Sequence, residues 1–132
     1  MVWSAELETG NEMVDDQHKD IIKLVQDVLD AGNEQEKVNT ALAFLADYAV
    51  RHFACEEKLM LESDWHWHDE HKKQHDSFVK AVADFVHEYR SGEAESVVDT
   101  VNNFIIIWLK VHIMGSDRIM ARHYRDWKQE VV

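Results

Sequence analysis

Proline is absent from the 132 residues, and glycine occurs only four times, at Gly10, Gly32, Gly92 and Gly115. Few points can break a helix, and folds that turn every few residues on Gly and Pro are excluded. Cysteine is limited to Cys55, which rules out an intrachain disulfide framework and a sulfur-rich metal site and fits a reducing compartment. It is expected to be a small buried residue. Positive charge is scarce: 14 Lys and Arg face 26 Asp and Glu, and the net charge of −12 argues against nucleic acid or an anionic membrane as partner. No signal-peptide pattern stands at the N-terminus. The most apolar run, FIIIWLKVHIM at 104–114, is too short to span a bilayer and carries Lys110 and His112. A cytoplasmic, soluble chain folding as one domain over residues 1–132 is therefore expected.

What is present is helical periodicity. Ile21, Ile22, Val25, Val28 and Leu29 form one apolar stripe, and Val38, Leu42, Leu45, Ala49, Phe53 and Met60 a second. Phe78, Val82, Phe85, Val86 and Tyr89 make a third; Val97, Val101, Phe104, Ile105, Trp108 and Leu109 make a fourth. With no strand-like alternation, the expected fold is all-α, an up-down-up-down four-helix bundle. Residues 1–14, with Trp3, Leu7, Met13 and Val14, lack sustained periodicity and read as an arm laid across the bundle. Beyond a break at Gly115, residues 117–128 read as a short C-terminal helix. Its outer face is basic, with Arg118, Arg122, Arg125 and Lys128, and docks on the acidic body or on a partner.

Histidine is the conspicuous excess. HWHDEHKKQH at 66–75 holds four, of which His71 and His75 are one turn apart on the face continued by Phe78 and Val82. His68, three residues before His71, competes for the same face from the start of the helix. The second stripe carries His52 and Glu56, four residues apart; the fourth carries His112; the first carries His18. Asp117 follows His112 by five residues, about 140° around an ideal helix, and reaches the same place only if the helix bends or ends at Gly115-Ser116. Any single inward histidine is more often a hydrogen-bonded core residue than a ligand. Four stripes that each carry one, two with a carboxylate as well, point to a metal.

Five imidazoles and two carboxylates exceed the four ligands of a zinc ion. They suit two metals about 3.5–4 Å apart. If Glu56 and Asp117 bridge, together with one oxo or hydroxo group, the histidines divide three and two. One metal is then six-coordinate, the other five-coordinate and open to a small ligand. Imidazole with carboxylate favours iron among redox metals, with Mn, Co and Zn also compatible. Gln17, Asp15 and the acidic flanks are candidates for orienting the ligand imidazoles.

These residues resemble the hemerythrin family, the bacterial hemerythrins in particular. The resemblance runs from Trp3 to Tyr124, through the W…TGN…VDDQHK stretch, HFACEEKLM at 52–60, HKKQHDSF at 71–78 and WLKVHIMGSD at 108–117. It implies a non-haem di-iron centre with His71, His75 and His112 on the saturated iron, His18 and His52 on the open one, Glu56 and Asp117 bridging, and His68 a bystander. It also implies reversible O2 binding at the open iron, binding of azide by the oxidised form, and an apolar pocket of Phe53, Trp108 and Leu109. One departure is DWHWH before the third helix, where the family carries Tyr-Pro; Trp65 stands for the aromatic, but no proline fixes the turn.

Three function classes follow: a reversible O2 carrier, store or sensor domain; a di-iron oxidase or peroxidase; and an iron buffer. The ferritin-like enzymes use Glu-x-x-His pairs, and this sequence has none. Two irons per chain is a poor capacity for buffering. O2 binding without catalysis is the expectation, and a sensor would need an output module outside these residues.

Overall fold

The computed structural model describes residues 1–92 and 96–131, the side chain of Val131 excepted. Among the described residues are four long helices and a single 3-10 turn at Ala5–Leu7. The first three helices are α1 (Glu12–Asp30), α2 (Gln35–Glu62) and α3 (His68–Arg90). The fourth, α4, is an unbroken succession of Val97–Thr100, Val101–Ile105, Ile106–His112, Ile113–Asp117 and Arg118–Val131; its second and fourth pieces are π-helical. α1 packs on α2 and α2 on α3, while the C-terminal part of α4 returns to α2. The stripes meet in a core that includes Ile21, Val25, Leu42, Leu45, Phe78, Val82, Val101, Ile105 and Leu109, while Met60 packs with Val14, Leu59 and Met120 in a second, smaller cluster.

α1 starts earlier than the periodicity predicts. Asn11 caps it by accepting from Val14 N at 3.1 Å, and Thr9 reaches Asp15 through both its backbone N–H and its hydroxyl. Only Met1 to Asn11 remain as the arm, and Met13, expected against the bundle, lies on the exposed side of α1. Cys55 is half-buried, not buried.

The larger correction concerns α4. Val97, Val101, Ile105, Leu109, Ile113, Asp117 and Ala121 are all buried, so the inward positions recur every four residues. In an α-helix such a line drifts about 40° per step, because 3.6 residues make a turn. The two π turns, each taking one extra residue, rotate it back to the core. Gly115 sits inside the second π turn and breaks nothing, so 117–128 is the continuation of α4 instead of a separate helix. The run at 104–114 is accordingly part of a helix, Val97–Glu130, long and apolar enough by length and composition to cross a membrane. Its buried His112 and Asp117 nevertheless point into the bundle. Phe104, expected in the core, is among the exposed residues, and Trp108 is half-buried.

The basic segment docks on the body, through buried Met120 and Ala121. It also sets the loop that lacks a proline. Asp64 takes a left-handed φ of 53°, Trp65 N–H returns to Met60 O at 2.8 Å, and the Trp65 ring lies 4.5 Å from His123 of α4. His123 Nε2 donates to Ser63 O at 2.8 Å.

Candidate metal centre

Each helix delivers its ligands by a different local device. α2 and α3 use the i, i+4 spacing: His52 Nε2 lies 3.1 Å from Glu56 Oε2, and the rings of His71 and His75 are 4.6 Å apart. α1 contributes His18, on the buried line with Ile21, Ile22 and Val25. α4 needs its π turn: over Ile113–Asp117 the helix widens to i→i+5 hydrogen bonding, which puts Asp117 Oδ1 2.9 Å from His112 Nε2. All seven side chains are buried.

They form two groups. Glu56, His71, His75, His112 and Asp117 make one, and His18, His52, Glu56 and Asp117 the other, with ligand atoms inside each group within 4.8 Å of one another. The shared carboxylates divide their oxygens between the groups. Glu56 Oε1 faces His75 at 3.0 Å and His71 at 3.9 Å, while Oε2 faces His52 at 3.1 Å and His18 at 3.3 Å. Asp117 Oδ1 faces His71 and His112 at 2.9 Å each, and Oδ2 faces His18 at 3.0 Å.

The donor chemistry fits cations. His71 Nε2 and His75 Nε2 each approach His112 Nε2, at 3.1 and 3.0 Å. Three imidazole nitrogens converging in this way cannot all be satisfied by one another. His75 Nδ1 meets the Glu57 carboxylate at 3.0 Å, which only accepts, so the proton sits on Nδ1 and the Nε2 lone pair points inward. The amide oxygens of Gln17 and Gln74 hold His52 Nδ1 and His112 Nδ1 likewise, at 2.7 and 2.8 Å. Among the described residues, both oxygens of Glu56, Asp117 Oδ2 and both nitrogens of His18 lack an aligned hydrogen-bond partner. Buried carboxylates without donors are costly, and a metal relieves that cost.

Electrostatics agree. Burial pushes His18 down, but the Asp117 and Glu56 carboxylates outweigh it and raise its pKa to about 9. Burial and Asp117 push Glu56 up, yet His52 and His18 hold it well below the usual carboxylate range; burial also opposes ionisation of Asp117, which His112, His18 and His71 keep low. His112 is pushed down by burial against the pull of Asp117, whereas His75 rises despite burial through Glu56 and Glu57. Without metal His18 thus holds a proton where a cation would sit. Because the His18 pKa is raised above its ordinary 6.5, its proton is bound at pH 7 and has to leave when metal enters. Adding Fe2+ to metal-free protein at pH 7 under argon should release protons, and affinity should rise with pH toward about 9. Indicator-dye titration at several pH values measures both.

Three positioning residues come with the site. Gln17 is one of the two residues that the sequence singles out for this role; Asp15, the other, serves the α1 cap. Glu57 lies on the acidic flank of Glu56, one of the flanks that the sequence leaves open for this role, whereas Gln74, the chain neighbour of His75, escapes the sequence reading. His68 stands at the first turn of α3, bonded to Asp69 outside both groups. Phe53 stacks on His75 with centroids 4.0 Å apart, and Trp108 stacks on His112 at 4.4 Å and on Phe78 at 4.3 Å. These two aromatics therefore cover the three-histidine group most closely. Leu109 is buried one turn before His112.

A four-helix bundle whose core joins two histidine groups through two shared carboxylates is a dinuclear metal-binding bundle. The description Hemerythrin HHE cation binding domain matches residues 9–124, and the chain belongs to the hemerythrin family. A bacteriohemerythrin of Pseudomonas aeruginosa is 33% identical, the match taking in 100% of this chain and 86% of the relative. One of Methylococcus capsulatus is 36% identical, over 90% of this chain and 92% of that protein. The crystal structure of a wild-type hemerythrin superposes with a TM-score of 0.87 at 34% identity, covering 94% of this chain and 97% of that one.

Proposed function

We infer that this chain holds two irons in the cluster and binds O2 reversibly on its two-histidine side. The observation that carries the reading is the division of Glu56 and Asp117, each sending one oxygen to the three-histidine group and the other to the two-histidine group. That leaves the His18 and His52 group one ligand short of its neighbour. The irons, when bound, supply the electrons on which O2 binding draws.

The chain's own residues do the rest. Glu56 and Asp117 balance charge, and Gln17, Glu57 and Gln74 fix three rings with the proton on Nδ1. Phe53, Trp108 and Leu109 keep water away from the imidazoles. The role is binding without turnover, since the ligand set is rich in histidine and poor in carboxylate. The oxidised form binds azide or another small anion in place of O2. The lone, half-buried Cys55 and the absence of other thiols support a cytoplasmic setting. An output module outside this chain would make it a sensor; alone it is a carrier or store.

Protein from iron-replete cells should contain two irons per chain, one for each ligand group. After anaerobic reduction it should take up O2 and return it under vacuum, followed optically. A single zinc per chain, or uptake that vacuum does not reverse, overturns the reading.

A further inference from the structure

The outer face of α4 is apolar and, among the described residues, uncovered. Phe104, Ile107, Val111 and Met114 are 36%, 54%, 70% and 38% exposed, in the 3-4-3 spacing of a helix–helix seam. Together they leave on the order of 400 Å² of apolar surface in water, the size of the largest patch on a typical monomer, which is often a contact surface. None belongs to the metal cluster.

We propose that this face is the two-fold interface of a homodimer, α4 packing antiparallel on α4 of a second copy. The pattern is self-complementary in one register. Setting Ile107 against Val111 of the other copy also sets Phe104 against Met114, an aromatic–thioether contact, and centres the axis at the level of Leu109. The two π turns obey the same symmetry: Val101–Ile105 and Ile113–Asp117 lie equally far from Leu109, so twist and rise match. That register also brings the exposed Asp99 of each helix beside the turn carrying the exposed Arg122 of the other, charges of opposite sign, while Arg118 of that turn is bonded to the Glu6 and Glu8 carbonyls of its own chain.

Charge singles out this face for self-association. Each copy carries a net charge of −12, and acidic bodies repel. From Val97 to Met114 the only charged residues are Asp99 and Lys110. An isologous contact needs a surface complementary to itself, as here. With flanking residues two copies bury on the order of 1,000 Å², which gives a weak, concentration-dependent dimer.

Sedimentation equilibrium of the full iron-loaded chain from about 1 µM to about 1 mM spans the range in which such an interface dissociates. Dimer should form in that range. Ile107→Glu and Val111→Glu put a carboxylate into the seam twice per dimer and should weaken association by about 100-fold or more. Phe44→Glu, at an exposed apolar residue of α2, should leave it unchanged. Helical circular dichroism and iron content should be unaltered in all three. In a Cys55→Ser background, Ile107→Cys chains mixed with Val111→Cys chains should cross-link about ten-fold faster than either alone, the register satisfying disulfide geometry only for the mixed pair. Monomer throughout, or dimer indifferent to both seam substitutions, overturns the proposal. So does flotation of monomer with phosphatidylcholine vesicles that Ile107→Glu abolishes, which would make the face a lipid contact.

Discussion

Asp117→Ala is expected to reduce iron from two per chain to one or fewer and to lower the Tm of the iron-loaded protein sharply. Asp117 is fully buried and serves both groups, Oδ1 facing His71 and His112 and Oδ2 facing His18. Its loss removes one ligand from each metal position at once. It also removes half of the carboxylate charge that balances cations in an apolar core. Breaking a buried charge pair from one side costs about 3–5 kcal/mol, which for a domain of this size is roughly 10–20 °C in Tm. Glu56→Ala should behave alike, since Glu56 divides its oxygens in the same way. His68→Ala is the control: it belongs to the same histidine-rich stretch but to neither group, and should change neither quantity. Metal analysis beside thermal melts reads both. Iron loss in His68→Ala with retention in Asp117→Ala would mean that the cluster is not the iron site.

The parts of the site that follow α-helical spacing were legible in the sequence. His52 with Glu56, and His71 with His75, are i, i+4 pairs, and their faces are marked by Ala49 and Met60 or by Phe78 and Val82. Asp117 was legible only as a conditional, because 3.6 residues per turn put it on the wrong side of His112. The condition is met by widening the helix at Ile113–Asp117, without ending it. A signal for this exists in the sequence: apolar or ligand residues at every fourth position from Val97 to Ala121 cannot stay on one face of a regular α-helix. Gly115 misled, since glycine marks a helix end only where the chain turns into the left-handed region, as it does at Gly32 and Gly92. Glu57 and Gln74 could not be placed, because a residue adjacent to a ligand points about 100° away on its own helix. Their targets are rings on neighbouring helices, which depend on the packing.

Leu109→Ala should give a folded, iron-loaded protein that still binds O2 but oxidises in air about ten-fold faster, a barrier lowered by about 1.4 kcal/mol. Leu109 is 2% exposed, on the inward line of α4 between Ile105 and Ile113 and one turn before His112. Truncation removes apolar bulk beside the cluster, and the space left admits water to a centre whose stability depends on being dry. The same change should cost roughly 2–5 kcal/mol of folding stability, the usual range for a buried leucine. That loss alone does not accelerate oxidation, and Leu42→Ala separates the two effects. Leu42 is equally buried, on α2 ten residues before His52, about 15 Å along the helix axis. It should lose comparable stability and oxidise at the parent rate. Rapid mixing of reduced protein with O2, followed by decay of the oxygenated spectrum, measures the rate, and azide titration of the oxidised form reports the altered pocket. Equal decay rates in Leu109→Ala and the parent protein would place Leu109 away from the O2 site and remove it from the two-histidine side of the centre.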